Sequence, residues 1–134
     1  AIDYGDKHFG LAISDKKGIL AQPLETVSIT KNKKVENLIK EILTIAEEYR
    51  AETFLVGLPQ EFTSSHQITT KKIHIFISLL SKVTNIPIIT YDESFSTTRA
   101  QNMLTSTGQN TKKTRGKINS IAATVFLQDF LNSK

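Results

Sequence analysis

The spacing of hydrophobic and polar positions changes along the chain, and the changes divide it into elements. Ala1-Ile2-Asp3-Tyr4-Gly5 reads as a short strand that turns at Asp6-Lys7-His8. Phe9 to Ser14 reads as a second strand, ended by the turn Asp15-Lys16-Lys17-Gly18. Ile19 to Ile29 is expected as a third strand, irregular or at a sheet edge because Pro23 has no N–H to give a ladder. Val35, Leu38, Ile39, Ile42, Leu43, Ala46 and Tyr49 then recur at helical spacing, predicting an amphipathic helix from about Asn32 to Arg50. Thr53 to Gly57 make a fourth strand, stopped at Leu58-Pro59. Ser64 and Gln67 resemble a capping box, and Ile73, Phe76, Ile77 and Leu80 line one face of the helix behind it. Ile86 to Tyr91 form a fifth strand. Ser96 or Thr97 is placed to cap a third helix that carries Ala100, Met103 and Leu104 and ends at Gly108. Ile118, Ala122, Val125 and Phe126 mark a last helix to about Asn132.

The order βββαβαβα is a meander followed by alternating helix and strand. Alternation implies parallel strands joined by crossovers, and crossovers put helices on both sheet faces. The expectation is an α/β domain with a five-stranded mixed sheet. At 134 residues, 1–134 is read as a single domain, with no internal repeat, linker or low-complexity tract. Hydrophobic residues at 39% and charged residues at 22% supply both a core and a wet surface, which argues against disorder. With no cysteine, disulfides and thiolate metal sites are excluded, and a reducing cytoplasm suits the chain. No apolar run is long enough for a membrane span, and no leader pattern opens the sequence. The chain starts inside a strand, so a few upstream residues are expected.

Candidate chemistry begins at Asp3. A strand directs its side chain opposite to those of Ile2 and Tyr4. A carboxylate near a sheet centre is costly unless something compensates, and a hard cation with oxygen ligands is a natural compensator. The competing reading is a solvent-facing Asp at a strand end. Asp92 and Glu93 lie at the carboxyl end of the fifth strand, where ligands gather in α/β sheets, although acids ahead of a helix are also simply stabilising. The net charge of +4, from 17 basic and 13 acidic residues, matters less than its distribution. Lys112, Lys113, Arg115 and Lys117 cluster in what reads as a loop opening the last helix. Cations there oppose the helix dipole at a few tenths of a kcal/mol each, roughly, whereas a phosphate backbone would favour them. A solvated loop is the alternative. Lys31, Lys33 and Lys34 could extend the track or merely decorate a turn. His8, His66 and His74 have no metal-ligand spacing, and no nucleophilic serine, P-loop or zinc pattern is present.

Several blocks together resemble one family. Asp3 to Asp15 resembles the opening hairpin of the YqgF/RuvX family, Ala21 to Thr26 its third strand, and Val56-Gly57-Leu58-Pro59 its fourth. Tyr91-Asp92-Glu93-Ser94-Phe95-Ser96-Thr97 resembles its Asp-Glu-Arg-x-Ser-Thr block, and Ala122-Ala123 through Leu127-Gln128 its last helix. Five blocks stand in register across nearly the whole chain. The resemblance implies a ribonuclease-H-like fold and a cytoplasmic nuclease using Mg²⁺ or Mn²⁺, one or two ions. It also implies a role at the 5′ end of precursor 16S ribosomal RNA, with four-way DNA junctions as the alternative substrate. The protein would be a monomer or homodimer with no membrane partner. By the family pattern Asp3 and Glu93 are metal-binding acids, with a third acid from the last helix. This chain has Asn119 there, which offers an oxygen but no charge, and Ser94 where the family tends to have Arg.

The reading is therefore phosphodiester hydrolysis by metal-activated water. Asp3, Glu93 and Asn119 would be the metal and catalytic positions, and Lys7, Lys112, Lys113, Arg115 and Lys117 the contacts to nucleic acid. Glu61, in the loop after the fourth strand, is a candidate for replacing the missing charge; a solvated loop Glu is the plainer account. Two rivals stand beside this reading. One is a nucleic-acid-binding module of the same fold without catalysis, which Asn119 and Ser94 favour. The other is an actin-like phosphotransferase, which needs two domains around ATP and more chain than this.

Overall fold

Strand alternation decides what lies on each face of the sheet. A computed structural model describes residues 1–59, 64–92 and 112–133, with side chains placed at all of these except 64–66 and 112–119. Its elements are β1 (Ile2–Asp3), β2 (His8–Ser14), β3 (Ala21–Pro23), β4 (Val27–Ser28), α1 (Val35–Glu48), β5 (Phe54–Leu58), α2 (Ser64–Val83), β6 (Ile88–Asp92) and α3 (Lys112–Asn132). The sheet order is β3-β2-β1-β5-β6, with β4 also paired to β2. β1 runs antiparallel to β2 and parallel to β5, which is parallel to β6. The mixed sheet and the helices on both faces are as the pattern predicts.

Ile2, Phe9, Leu11, Phe54 and Val56 point to one face. There they form the main core with Leu38, Ile39, Ile42 and Ala46 of α1 and with Ile73, Phe76 and Leu80 of α2. Each of these larger side chains contributes about 1.5–3 kcal/mol by leaving water. Tyr4, Phe9 and Phe76 close one end of this core, with ring centroids 4.8, 5.7 and 5.2 Å apart. Ala12 and Leu55 point to the other face and pack on Ala123, Phe126 and Leu127 of α3. This second core is smaller. Ala122 and Ala123, both fully buried, let α3 approach the sheet closely, chiefly over β2.

Two expectations need correcting. The single third strand from Ile19 to Ile29 is two short strands, β3 and β4, so the sheet has six strands rather than five. Pro23 pairs with Ala12 at the end of β3. The Leu24 amide still reaches the Leu11 carbonyl at 2.8 Å, but the chain then leaves the ladder until Val27 pairs with Phe9. Pro23 at an edge is consistent with its missing donor. The second correction concerns Lys112 to Lys117, which lie in the first turns of α3 and not in a loop. Their polarity, with Gly116 among them, hides the helix from any reading of hydrophobic period.

Smaller shifts occur at α1. Thr30 and Lys33 exchange backbone hydrogen bonds of 3.2 Å in a tight turn, so the helix starts at Val35 rather than near Asn32. The predicted helix around Ala100 to Gly108 lies outside the described residues.

Candidate metal and nucleic-acid site

The central strand β1 ends on Asp3, and the parallel strands β5 and β6 end at Leu58 and Asp92 on the same edge. Asp3 is 5% exposed, the only buried charged side chain among the described residues. The solvent-facing alternative for Asp3 is thereby removed. Because Ile2 faces α1 and α2, alternation sends Asp3 to the face covered by α3. The strand positions flanking it are glycines. Asp3 pairs with Gly10 on β2, and one step beyond the Ile2–Val56 pair it comes level with Gly57 on β5. Neither glycine brings a side chain of its own to the face on which the carboxylate lies.

Asp92 is exposed and pairs with Leu58, which packs towards the α1/α2 core, so Asp92 is on the face opposite Asp3. Tyr91, one residue earlier, is on the α3 face, stacked on Phe126 at 6.3 Å and edge-on to Phe130 at 5.9 Å. Glu93, Ser94 and Glu61 lie outside the described residues. Asn119 lies within α3, one residue before Ser120.

Ser120 is a site feature that hydrophobic patterning passes over. It is buried, its Oγ accepts a hydrogen bond from the Leu11 amide at 3.3 Å, and it lies 2.9 Å from Thr26 Oγ1. Eight residues on, Gln128 takes the Ala21 amide at 2.9 Å and donates to the Ile19 carbonyl at 2.8 Å. A polar residue sharing the helical face of Ala123 and Leu127 was the available signal for Ser120.

On the hairpin beyond Asp3, Lys7 is exposed and its carbonyl accepts the Ile29 amide at 2.8 Å. Asp6 pairs with Lys72 at 3.1 Å, an exposed bridge of small energetic value. Burial pushes the Tyr4 phenol above its ordinary pKa, and the Asp6 charge pushes it further. Lys33 is tied to Glu41 at 2.7 Å, which supports the plainer account of that lysine. His8 Nδ1 bonds Ser28 Oγ at 2.7 Å, and His74 is an exposed residue of α2. Among the described residues, no three His, Cys, Asp or Glu side chains gather as a metal cluster. No described helix is long and apolar enough to cross a membrane.

A mixed sheet opening with an antiparallel hairpin, a buried acid on its central strand and a helix laid over that acid define a ribonuclease-H-like α/β protein. The fold matches that of a solved chain described as "T. thermophilus RuvC in complex with Holliday junction substrate". The TM-score is 0.55 at 14% identity, covering 98% of this chain and 92% of that one.

The chain belongs to the RuvX family, described as "Holliday junction resolvase", which it matches over residues 1–133. Curated relatives carry the name "Putative pre-16S rRNA nuclease". One from Acetivibrio thermocellus is 37% identical over 134 residues, spanning 99% of this chain and 94% of its own. One from Halothermothrix orenii is 34% identical over 131 residues, spanning 98% and 91%. Nucleases of the RuvX and RuvC kind generally depend on a divalent metal ion.

Proposed function

We propose that residues 1–134 form a single nuclease domain that hydrolyses phosphodiester bonds in structured nucleic acid. The natural substrate on this reading is the 5′ region of precursor 16S ribosomal RNA, processed in the cytoplasm. The observation that carries the proposal is Asp3, a carboxylate 5% exposed at the carboxyl end of the central strand. A buried acid at the carboxyl end of a central strand suits a hard cation, and the proposed donors are all oxygens, as Mg²⁺ or Mn²⁺ prefers.

Asp3, Glu93 and Asn119 are the proposed ligands and catalytic positions, for one ion or two. Glu93 comes two residues after Tyr91, the residue of β6 that packs on α3. When bound, such an ion activates water and offsets charge at the phosphate. Lys7, Lys112, Lys113, Arg115 and Lys117 hold the nucleic acid. Cations in the first turns of α3 work against its dipole, so a phosphate backbone is what favours them there.

A second reading, cleavage of four-way DNA junctions, has specific support in the family description and in the fold shared with RuvC. One experiment addresses both. The purified chain with Mn²⁺ is given a precursor 16S fragment and, separately, a four-way junction. Cleavage of the RNA, falling by at least about 100-fold in Asp3→Asn and Glu93→Gln, is the expected result. Preference for the junction selects the second reading. Cleavage that survives both substitutions, or no cleavage of either substrate, overturns the proposed nuclease.

A further inference from the structure

We infer that Ser120 is a positioning residue: its hydroxyl, lodged where β3 and β4 part, fixes where residue 119 stands relative to Asp3. The inference rests on the proposed metal site.

The starting point is a backbone donor without a ladder partner. In β2 the Ala12 amide bonds the Ala1 carbonyl at 3.1 Å, towards β1. Antiparallel alternation sends the groups of Leu11 the other way, and its carbonyl duly accepts the Leu24 amide at 2.8 Å. The Leu11 amide opens onto the stretch where the chain has left the sheet, between β3 and β4. A buried amide without an acceptor is costly. Ser120 Oγ is its acceptor at 3.3 Å, and Thr26 Oγ1, from the departing chain itself, lies 2.9 Å from the same oxygen.

This arrangement ties α3 to the sheet in a way that packing does not. Ala122 and Ala123 allow close approach, but methyl contacts tolerate sliding and rolling. A hydrogen bond is directional. Another tie of α3 to the sheet backbone among the described residues is Gln128, eight residues away and so roughly 12 Å along the helix. Residue 119 is one rise of about 1.5 Å from Ser120, so a shift of the helix there passes to it almost undiminished. The break in the third strand thus acquires a use. It frees one amide for the helix that carries the proposed third metal position.

The test uses the full chain and the variants Ser120→Ala, Thr26→Val and Thr26→Ser. Mn²⁺ affinity is measured by titration calorimetry, alongside Leu11 amide exchange and the kcat and KM for a structured RNA. Ser120→Ala is expected to speed Leu11 exchange, weaken Mn²⁺ binding roughly tenfold and lower kcat at fixed metal, with KM for RNA unchanged. Thr26→Val moves the same quantities in the same direction, and Thr26→Ser, which keeps the hydroxyl, restores them. Ile42→Val, on the opposite face, lowers Tm without changing Mn²⁺ affinity.

Wild-type Mn²⁺ affinity and kcat in Ser120→Ala, despite a lower Tm, would overturn the inference. Should that variant fail to fold, the Thr26 pair decides it, wild-type affinity in Thr26→Val being the overturning result. Asp3→Asn separates the two levels. If it abolishes Mn²⁺ binding while the Ser120 and Thr26 variants bind normally, only the positioning role falls. If Asp3→Asn also binds normally, the metal site itself has failed.

Discussion

Asp3 is buried between Gly10 and Gly57, and the missing side chains matter as much as the carboxylate. A larger residue at either position would take up space on the face where the acid points. Asn119 is the contrasting residue, one that keeps an oxygen donor but gives up a charge. Ligand charge tunes the affinity of hard cations, so Asn119→Asp should tighten Mn²⁺ binding by roughly an order of magnitude. Calorimetry on the two proteins checks this, and equal affinities would remove residue 119 from the proposed ligand set. At this scale the sequence was partly readable. Strand alternation put Asp3 on the face opposite Ile2, although whether that face was dry depended on α3, far away in the chain. Ser120 was harder, since its partners are a backbone amide and a threonine that only the folded sheet brings near.

Among the elements, the hairpin between β2 and β3 depends on a single carboxylate. Asp15 Oδ1 accepts the Ile19 amide at 2.7 Å and the Leu20 amide at 3.3 Å, while Gly18 takes the left-handed turn position at φ +68°. The hydrogen bond from Ile19 is the main cause holding the Asp15 pKa below its ordinary value. A lowered folded-state pKa means the stabilisation is present above the ordinary carboxylate range and is lost as pH falls through the folded value. Wild type should therefore outlast Asp15→Ala in urea at neutral pH, and the gap between their midpoints should narrow as the pH is taken below the ordinary carboxylate range. A gap independent of pH would mean that the charge plays no part. The elements themselves differed in legibility for a physical reason. α1 has a clean apolar stripe because one face of it meets the core, whereas α3 opens with lysines and arginine and gave no periodic signal until Ile118. The third strand read as continuous because its side chains alternate well enough. What breaks it is backbone pairing around Pro23, which side-chain pattern does not report.

The whole molecule divides its labour between the two faces of one sheet. The face under α1 and α2 holds the larger core and most of the apolar burial, leaving the α3 face to accommodate a charge. Asp3 is the buried charge that a bound cation would reach. Saturating Mn²⁺ should stabilise wild type by about 2.7 kcal/mol at a hundredfold excess over Kd and leave Asp3→Asn unchanged. Urea denaturation of both proteins with and without metal reads the difference, and equal stabilisation of the two would contradict it. The fold class was legible because alternation of strands and helices constrains topology strongly. The outer flank of the sheet was not. There the Gln128 amide grips Ala21 and Ile19, occupying hydrogen-bonding groups that an incoming strand from another molecule would need. One side chain thus acts as a terminator for sheet growth on that flank, guarding an enzyme in a crowded solution against fibril-like stacking through β3.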